Sequence, residues 1–189
     1  MAIIERIPII ENPVLLDLVI ADIQKGLAEN ISWLDYAFGK AERLVKMQGN
    51  KRVYSPNVYA GGNQYFPVSP DSNIGNFSFF TIEDPQTINW IPKTKGEMSV
   101  NYGLIFWFDF RRLAPGQQYR TLEPIKAQIL KVLNGGFWLR SGRLTVTQIE
   151  EKAENIYKGY SLDEVDNQFL MHPFGGLRFD GKLTINESC

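Results

Sequence analysis

Residues 98–110 read MSVNYGLIFWFDF, from Met98 to Phe110. Successive side chains of an extended chain point to opposite sides, so Val100, Tyr102, Leu104, Phe106, Phe108 and Phe110 share one face. The other face carries Asn101, Gly103, Ile105, Trp107 and Asp109, and is half apolar too. As a single strand the 13 residues would span about 43 Å, far beyond the usual strand of about 5–6 residues. A strand that long either crosses a whole sandwich or projects as an arm.

The segments around it supply the rest of a sheet. FSFFTIE, 77–83, reads as a strand, joined to the long one by a polar connection over 84–97 that carries Trp90. AERLVKM, QGN and KRVYS read as a β-hairpin from residue 41 with Gly49 and Asn50 in its turn. Further strands are expected at about 137–150 and 176–186. The acidic stretch between them, with Glu150, Glu151, Glu154, Asp163, Glu164 and Asp166, reads as an exposed segment with a short helical turn.

Two amphipathic helices complete the pattern. The first is expected over 13–29, with Asn12 as cap, Pro13 at the first helical position, and Leu16, Ile20, Ile23 and Leu27 on one face. The second, over 121–134, has Leu122, Ile125, Ile129, Val132 and Leu133 inward, Pro124 in its first turn and Gly135–Gly136 closing it. Residues 1–12 read as an extended apolar arm with Ile7 and Ile9, limited by Pro8 to an edge or irregular path. The order of elements means one α+β domain over 1–189. Its mainly antiparallel sheet or sandwich is flanked by the N-terminal helix, with the second helix packed on it. Residues 57–76, rich in Gly, Pro, Asn and Ser but carrying Tyr59, Tyr65 and Phe66, read as an extended interface-forming loop.

Composition narrows the function. Lys and Arg number 20 against 21 Asp and Glu, which leaves no electrostatic footprint for nucleic acid or an anionic membrane. The start of the chain has Glu5 and Arg6 inside its apolar stretch and does not read as a signal peptide, and no apolar run approaches a spanning helix. A soluble protein of a reducing compartment is expected.

Motifs for chemistry are sparse. One histidine, His172, and one cysteine, Cys189, leave too few ligands for a zinc centre. No Gly-x-Ser-x-Gly elbow, Walker A sequence or Gly-x-Gly-x-x-Gly motif occurs. His172, beside Pro173, reads as a structural or surface residue, and the glycine pair 175–176 as the tight entry to the last strand. Asp109 is the one carboxylate in a setting that could perturb it, and its structural reading is pairing with Arg111 or Arg112, or simply exposure near the strand end. The Asp163, Glu164, Asp166 group lacks the spacing of a calcium loop. No catalytic, cofactor-binding or metal-binding residue is assigned and no cofactor is expected. The aromatic content, 13%, suits strands and interfaces instead.

The layout resembles the tail-terminator (tail-completion) and neck-ring proteins of bacteriophages. The resemblance rests on the helix-then-sheet order, on HPFGGLRFDGKLTI near the end, and on VYSPNVYAGGNQYFPVSPD followed by NFSFFTIEDPQ, which is similar to structural proteins of gut-Bacteroides-type phages. It implies a structural, non-enzymatic virion protein: a homo-oligomeric ring, commonly sixfold, that caps a tail tube or joins tail to head. The partners implied are further copies of the chain and other neck, tube or connector proteins, with DNA passing through the lumen and no membrane. Residues expected at interfaces are Ile7, Ile9, Tyr59, Tyr65, Phe66, Trp90, Arg111 and Arg112. Deleting 57–76 is expected to abolish the ring and leave a folded monomer. The alternatives are a carbohydrate- or peptide-binding module using the aromatic loops, and a carboxylate-dependent hydrolase around Asp109.

Overall fold

The computed structural model describes residues 5–8, 10–62, 64–91, 95–113, 122–134, 142–163 and 165–188. In chain order these form α1 (Leu16–Asn30), β1 (Tyr36–Gln48), β2 (Lys51–Tyr59), β3 (Tyr65–Pro67), β4 (Phe77–Ile91) and β5 (Lys95–Asp109). There follow α2 (Phe110–Leu113), α3 (Glu123–Asn134), β6 (Gly142–Glu150), α4 (Ala153–Ile156), a 3-10 turn (Asn167–Leu170) and β7 (Phe174–Ser188). The strands make one seven-stranded sheet in the order β3-β2-β1-β4-β5-β7-β6. All pairs are antiparallel except β1 with β4. The fold is α+β, built on a single sheet.

β5 lies inside the sheet between β4 and β7, and its alternation partitions the interior. Val100, Tyr102, Leu104, Phe106 and Phe108 face α1 and α3, where Val19, Ile23, Leu27, Ile125 and Ile129 close the first core. Phe110 begins α2 yet still packs on this core. Ile105 and Trp107 face the opposite side and meet Phe38, Val58, Val68, Phe77 and Phe79 in a second core. Fully burying a phenylalanine contributes roughly 1.5–3 kcal/mol, so both faces of β5 stabilise the sheet.

The acidic stretch is the lid of that second core. Ile156 and Tyr157 are buried within it, and Tyr160, Leu162 and Phe169 pack on its rim. The helical spacing of Ile156, Tyr157 and Tyr160 lasts barely one turn before the pattern is lost at Leu162 and Phe169, which is why the segment reads as exposed in the sequence. Glu151, Glu154, Asp163 and Asp166 do face water while the scattered apolar residues face the sheet.

Several boundaries move. Most of the polar connection 84–97 is strand: β4 continues to Ile91, β5 begins at Lys95, and the two pair from Thr87↔Ser99 to Ile91↔Lys95 after a register shift beyond Glu83; residues 92–94 lie outside the described residues. Backbone pairing, not burial, holds it there, so it lacks an apolar alternation. Within 57–76, β2 runs to Tyr59 and β3 pairs with it. Val58 and Val68 are fully buried, so deleting 57–76 would remove core and cannot separate assembly from folding. Helix α1 starts at Leu16, three residues after Pro13, with no side-chain cap; Asn12 and Leu15 have positive φ instead. The expected helix stop at Gly135–Gly136 and the strand start at 137–141 lie outside the described residues.

The last strand also corrects a reading. Gly175 and Gly176 lie inside β7, paired with Phe108 and Trp107. A Cβ on Gly175 would stand 2.8 Å from the Phe110 ring, and one on Gly176 3.0 Å from the Phe106 carbonyl oxygen. These glycines are required by close packing, not by a tight turn.

Candidate functional site

Because β1 and β4 are parallel, the hairpins they open extend toward the same end of the sheet. Pairing between β1 and β4 ends at Lys40 and Phe80. From Ala41 to Gln48, β1 pairs with β2 alone, and residues 43–52 are exposed. The turn falls at Gly49–Asn50 as the sequence predicts, with Gly49 at φ +60°. The hairpin tip exposes Leu44 (42%), Val45 (53%) and Met47 (65%) among Arg43, Lys46, Lys51 and Arg52, without one carboxylate between 43 and 52. Arg43 lies over the Tyr54 ring at 3.8 Å, and Lys51 pairs with Asp163.

At the base of the same hairpin is an open groove of about 560 Å3, lined by Ile10, Glu11, Tyr59, Gly62 and Tyr65. Tyr59 and Tyr65 meet edge to face with ring centroids 6.0 Å apart. Of its lining, Ile10 (40%) and Tyr65 (54%) are exposed large apolar residues. Lys40 forms part of the adjoining floor and is ion-paired with Glu42 at 2.8 Å. Of the nine large apolar residues exposed among the described ones, five lie on these two features; Val14, Leu15, Ile88 and Met171 lie outside them.

The residues expected at interfaces divide. Tyr59 and Tyr65 line the groove, where the sequence reading places them in an interface. Phe66 packs against Phe38 at 6.3 Å and belongs to the second core. Ile7 packs on the first core, and Ile9 lies outside the described residues. Trp90 pairs through its backbone with Gly96 on the second projecting hairpin; its side chain lies outside the described residues.

Arg111 and Arg112 sit at the far end of the sheet in a polar knot. Arg111 grips Asp109 through Nε (2.9 Å) and Nη2 (2.7 Å), and Arg112 bridges to Asp35 at 3.0 Å. Buried Asn76 ties the knot together: its side chain accepts from the Asp109 N–H and donates to the Trp33 carbonyl, and its own N–H donates to Asp35. Burial of Asp109 works against its charge, but the Arg111 hydrogen bonds win and hold its carboxyl below the usual range. A carboxylate so held is a poor proton donor at neutral pH. Asp109 is thus paired with Arg111 and buried, which selects the first of its two structural readings over exposure, and His172 stacks on Phe110 at 5.6 Å.

A second pocket, of about 180 Å3, opens on the lid side between Trp107, Phe110, Ile156, Phe169 and Phe174. Near it the Tyr157 hydroxyl is buried with no hydrogen-bond partner among the described residues, and burial raises its pKa well above the ordinary value. Tyr157→Phe removes that unpaired group and is expected to stabilise the protein by about 1 kcal/mol in chemical denaturation. A clear loss of stability would show that the hydroxyl has a partner in solution. Among the described residues no three His, Cys, Asp or Glu side chains are placed to hold a metal ion, and no helix is long and apolar enough to cross a membrane.

No protein-family model matches this chain, and no curated protein sequence matches it significantly. The tip and the groove are what the chain itself presents. Sequence reasoning marked half of the groove through its tyrosines but missed the tip. The available signal was a run of ten residues with four bases, no acid and three large apolar side chains.

Proposed function

We propose that this protein is a structural, non-enzymatic virion component that forms an oligomeric ring at a phage neck or tail end, as a tail terminator or head–tail connector. The observation that carries the assembly part is the concentration of exposed apolar residues on a projecting hairpin tip and a groove. Contiguous apolar exposure of this kind marks interaction surfaces. The tip is uniformly basic, so two tips repel and a symmetric tip-to-tip dimer is disfavoured. Contacts between unlike faces remain, and these close into rings when the rotation permits. The phage assignment rests on the family resemblance of the layout, and the ring would act beside neck and tail-tube proteins with DNA in its lumen.

Mass photometry and negative-stain imaging of the purified chain test the reading, with a closed ring as the expected particle. A strictly monomeric sample at high concentration would overturn it. Replacing Leu44, Val45 and Met47 together by Ser, Thr and Gln should weaken association at least roughly tenfold. The melting temperature should hardly move, because these side chains are already in water. The phage assignment is tested by genomic context: capsid and tail genes are expected as neighbours, and a metabolic operon would remove it.

A further inference from the structure

We propose that the hairpin tip of one copy seats in the groove of the next, with Val45 and Met47 against Tyr59, Tyr65 and Ile10, and Arg52 toward Glu11. This rests on the assembly reading and specifies its interface. Met47 and Arg52 are directly paired across the hairpin, as are Val45 and Tyr54, so one face of the tip presents Val45, Met47 and Arg52 together. That face is apolar with a cation at its end. The groove is its complement: an aromatic and aliphatic wall with an exposed carboxylate at the rim. Lys46 and Arg52 have no ion-pair partner among the described residues, and neither does Glu11.

Geometry makes the contact intermolecular. The groove reaches Lys40 and Tyr59 at the hairpin base, whereas Gln48 is eight residues further along β1, about 26 Å for an extended strand. β2 pairs with β1 from Ala41 to Gln48, so the paired strands cannot fold back onto their own base. Tip and groove are different surfaces of one chain, which is the requirement for a head-to-tail contact. The groove volume falls within the range of about 300–1,000 Å3 that sites offer to ligand-sized groups, enough for a few side chains. A nucleic-acid backbone would use the tip's charge but leave Val45 and Met47 in water, so a second copy is the better occupant.

Reciprocal charge reversal tests this. One variant carries Arg52→Glu, the other Glu11→Lys, and thermal melts first establish that both remain folded. Each variant alone should lose association at least roughly tenfold, since like charges then face each other. Mixed at equal concentration the two should assemble again, because each tip now meets an opposite groove. Wild-type association should also weaken as salt rises from 50 to 500 mM. If both variants assemble as wild type does, the tip-in-groove contact is wrong while the ring reading stands; if wild type itself stays monomeric, both fall. Lost assembly that mixing fails to restore overturns the pairing. So does a tip variant that loses only binding to a DNA duplex and keeps its assembly.

Discussion

Gly181→Ala is expected to destabilise the protein by about 3 kcal/mol or more, because overpacking against backbone cannot be relieved by a rotamer change. A Cβ at Gly181 would overlap the Thr145 carbonyl oxygen and lie 2.9 Å from the Tyr102 hydroxyl. Tyr102 donates to that same carbonyl at 3.2 Å, at the point where the pairing of β6 with β7 shifts register between Val146 and Gln148. The added methyl would force β6 off β7 and break the Tyr102 bond together with the ladder. For a chain of this size the loss corresponds to roughly 6–12 °C in melting temperature. Hydrogen exchange should show β6 amides losing protection before those of β5. Wild-type stability in Gly181→Ala would mean that β6 and β7 do not approach as described. Gly103→Ala is expected to cost less, since its close contacts at 2.6–2.7 Å are with the side chains of Arg178 and Thr81, which can shift.

Arg178→Met should cost about 3 kcal/mol, the low end of the range for breaking a buried ion pair. Arg178 is 1% exposed on the second-core face of β7; its Nε donates to Asp180 and its Nη2 to Glu83, each at 2.7 Å. Methionine leaves both carboxylates without the guanidinium. They reach water in part, with Glu83 38% and Asp180 21% exposed, which keeps the penalty from the upper end of the range. Arg178→Lys should recover only part of the loss, because one ammonium cannot reproduce a fork aimed at two strands. Adding Glu83→Gln and Asp180→Asn to Arg178→Met should restore most of it, since uncompensated charge is the source of the cost. Urea denaturation of the three variants and wild type checks this; equal stability of Arg178→Met and wild type would remove the network from the account of the fold.

Glu83 and Gly103 also show why such a site escapes a linear reading. Residues 83, 103, 178 and 180 meet only through the registers Gly103↔Asp180 and Ile105↔Arg178 and the neighbouring Thr81↔Gly103. Nothing in RFD, 178–180, says that its arginine is fully buried. The Asp109–Arg111 pair is legible by contrast, because a separation of two residues brings the groups together without help from the fold. The groove shows both cases: its tyrosines stand out among turn-forming residues, but Ile10 and Glu11 reach it only once the N-terminal arm lies beside β2 and β3.

What the chain determined by itself is whatever depends on neighbours along it. Alternation from Val100 to Phe108 sets β5, spacing of Leu16, Ile20, Ile23 and Leu27 sets the inner face of α1, and Gly49–Asn50 sets the hairpin turn. Only the tertiary structure decided that 84–91 and 95–97 are strand, that β1 lies parallel to β4, and that an acidic stretch covers the second core. The physical reason is the range of the forces. Pattern and propensity act over a few residues, whereas sheet order and burial are settled by which distant segments exclude water from the two faces of β5.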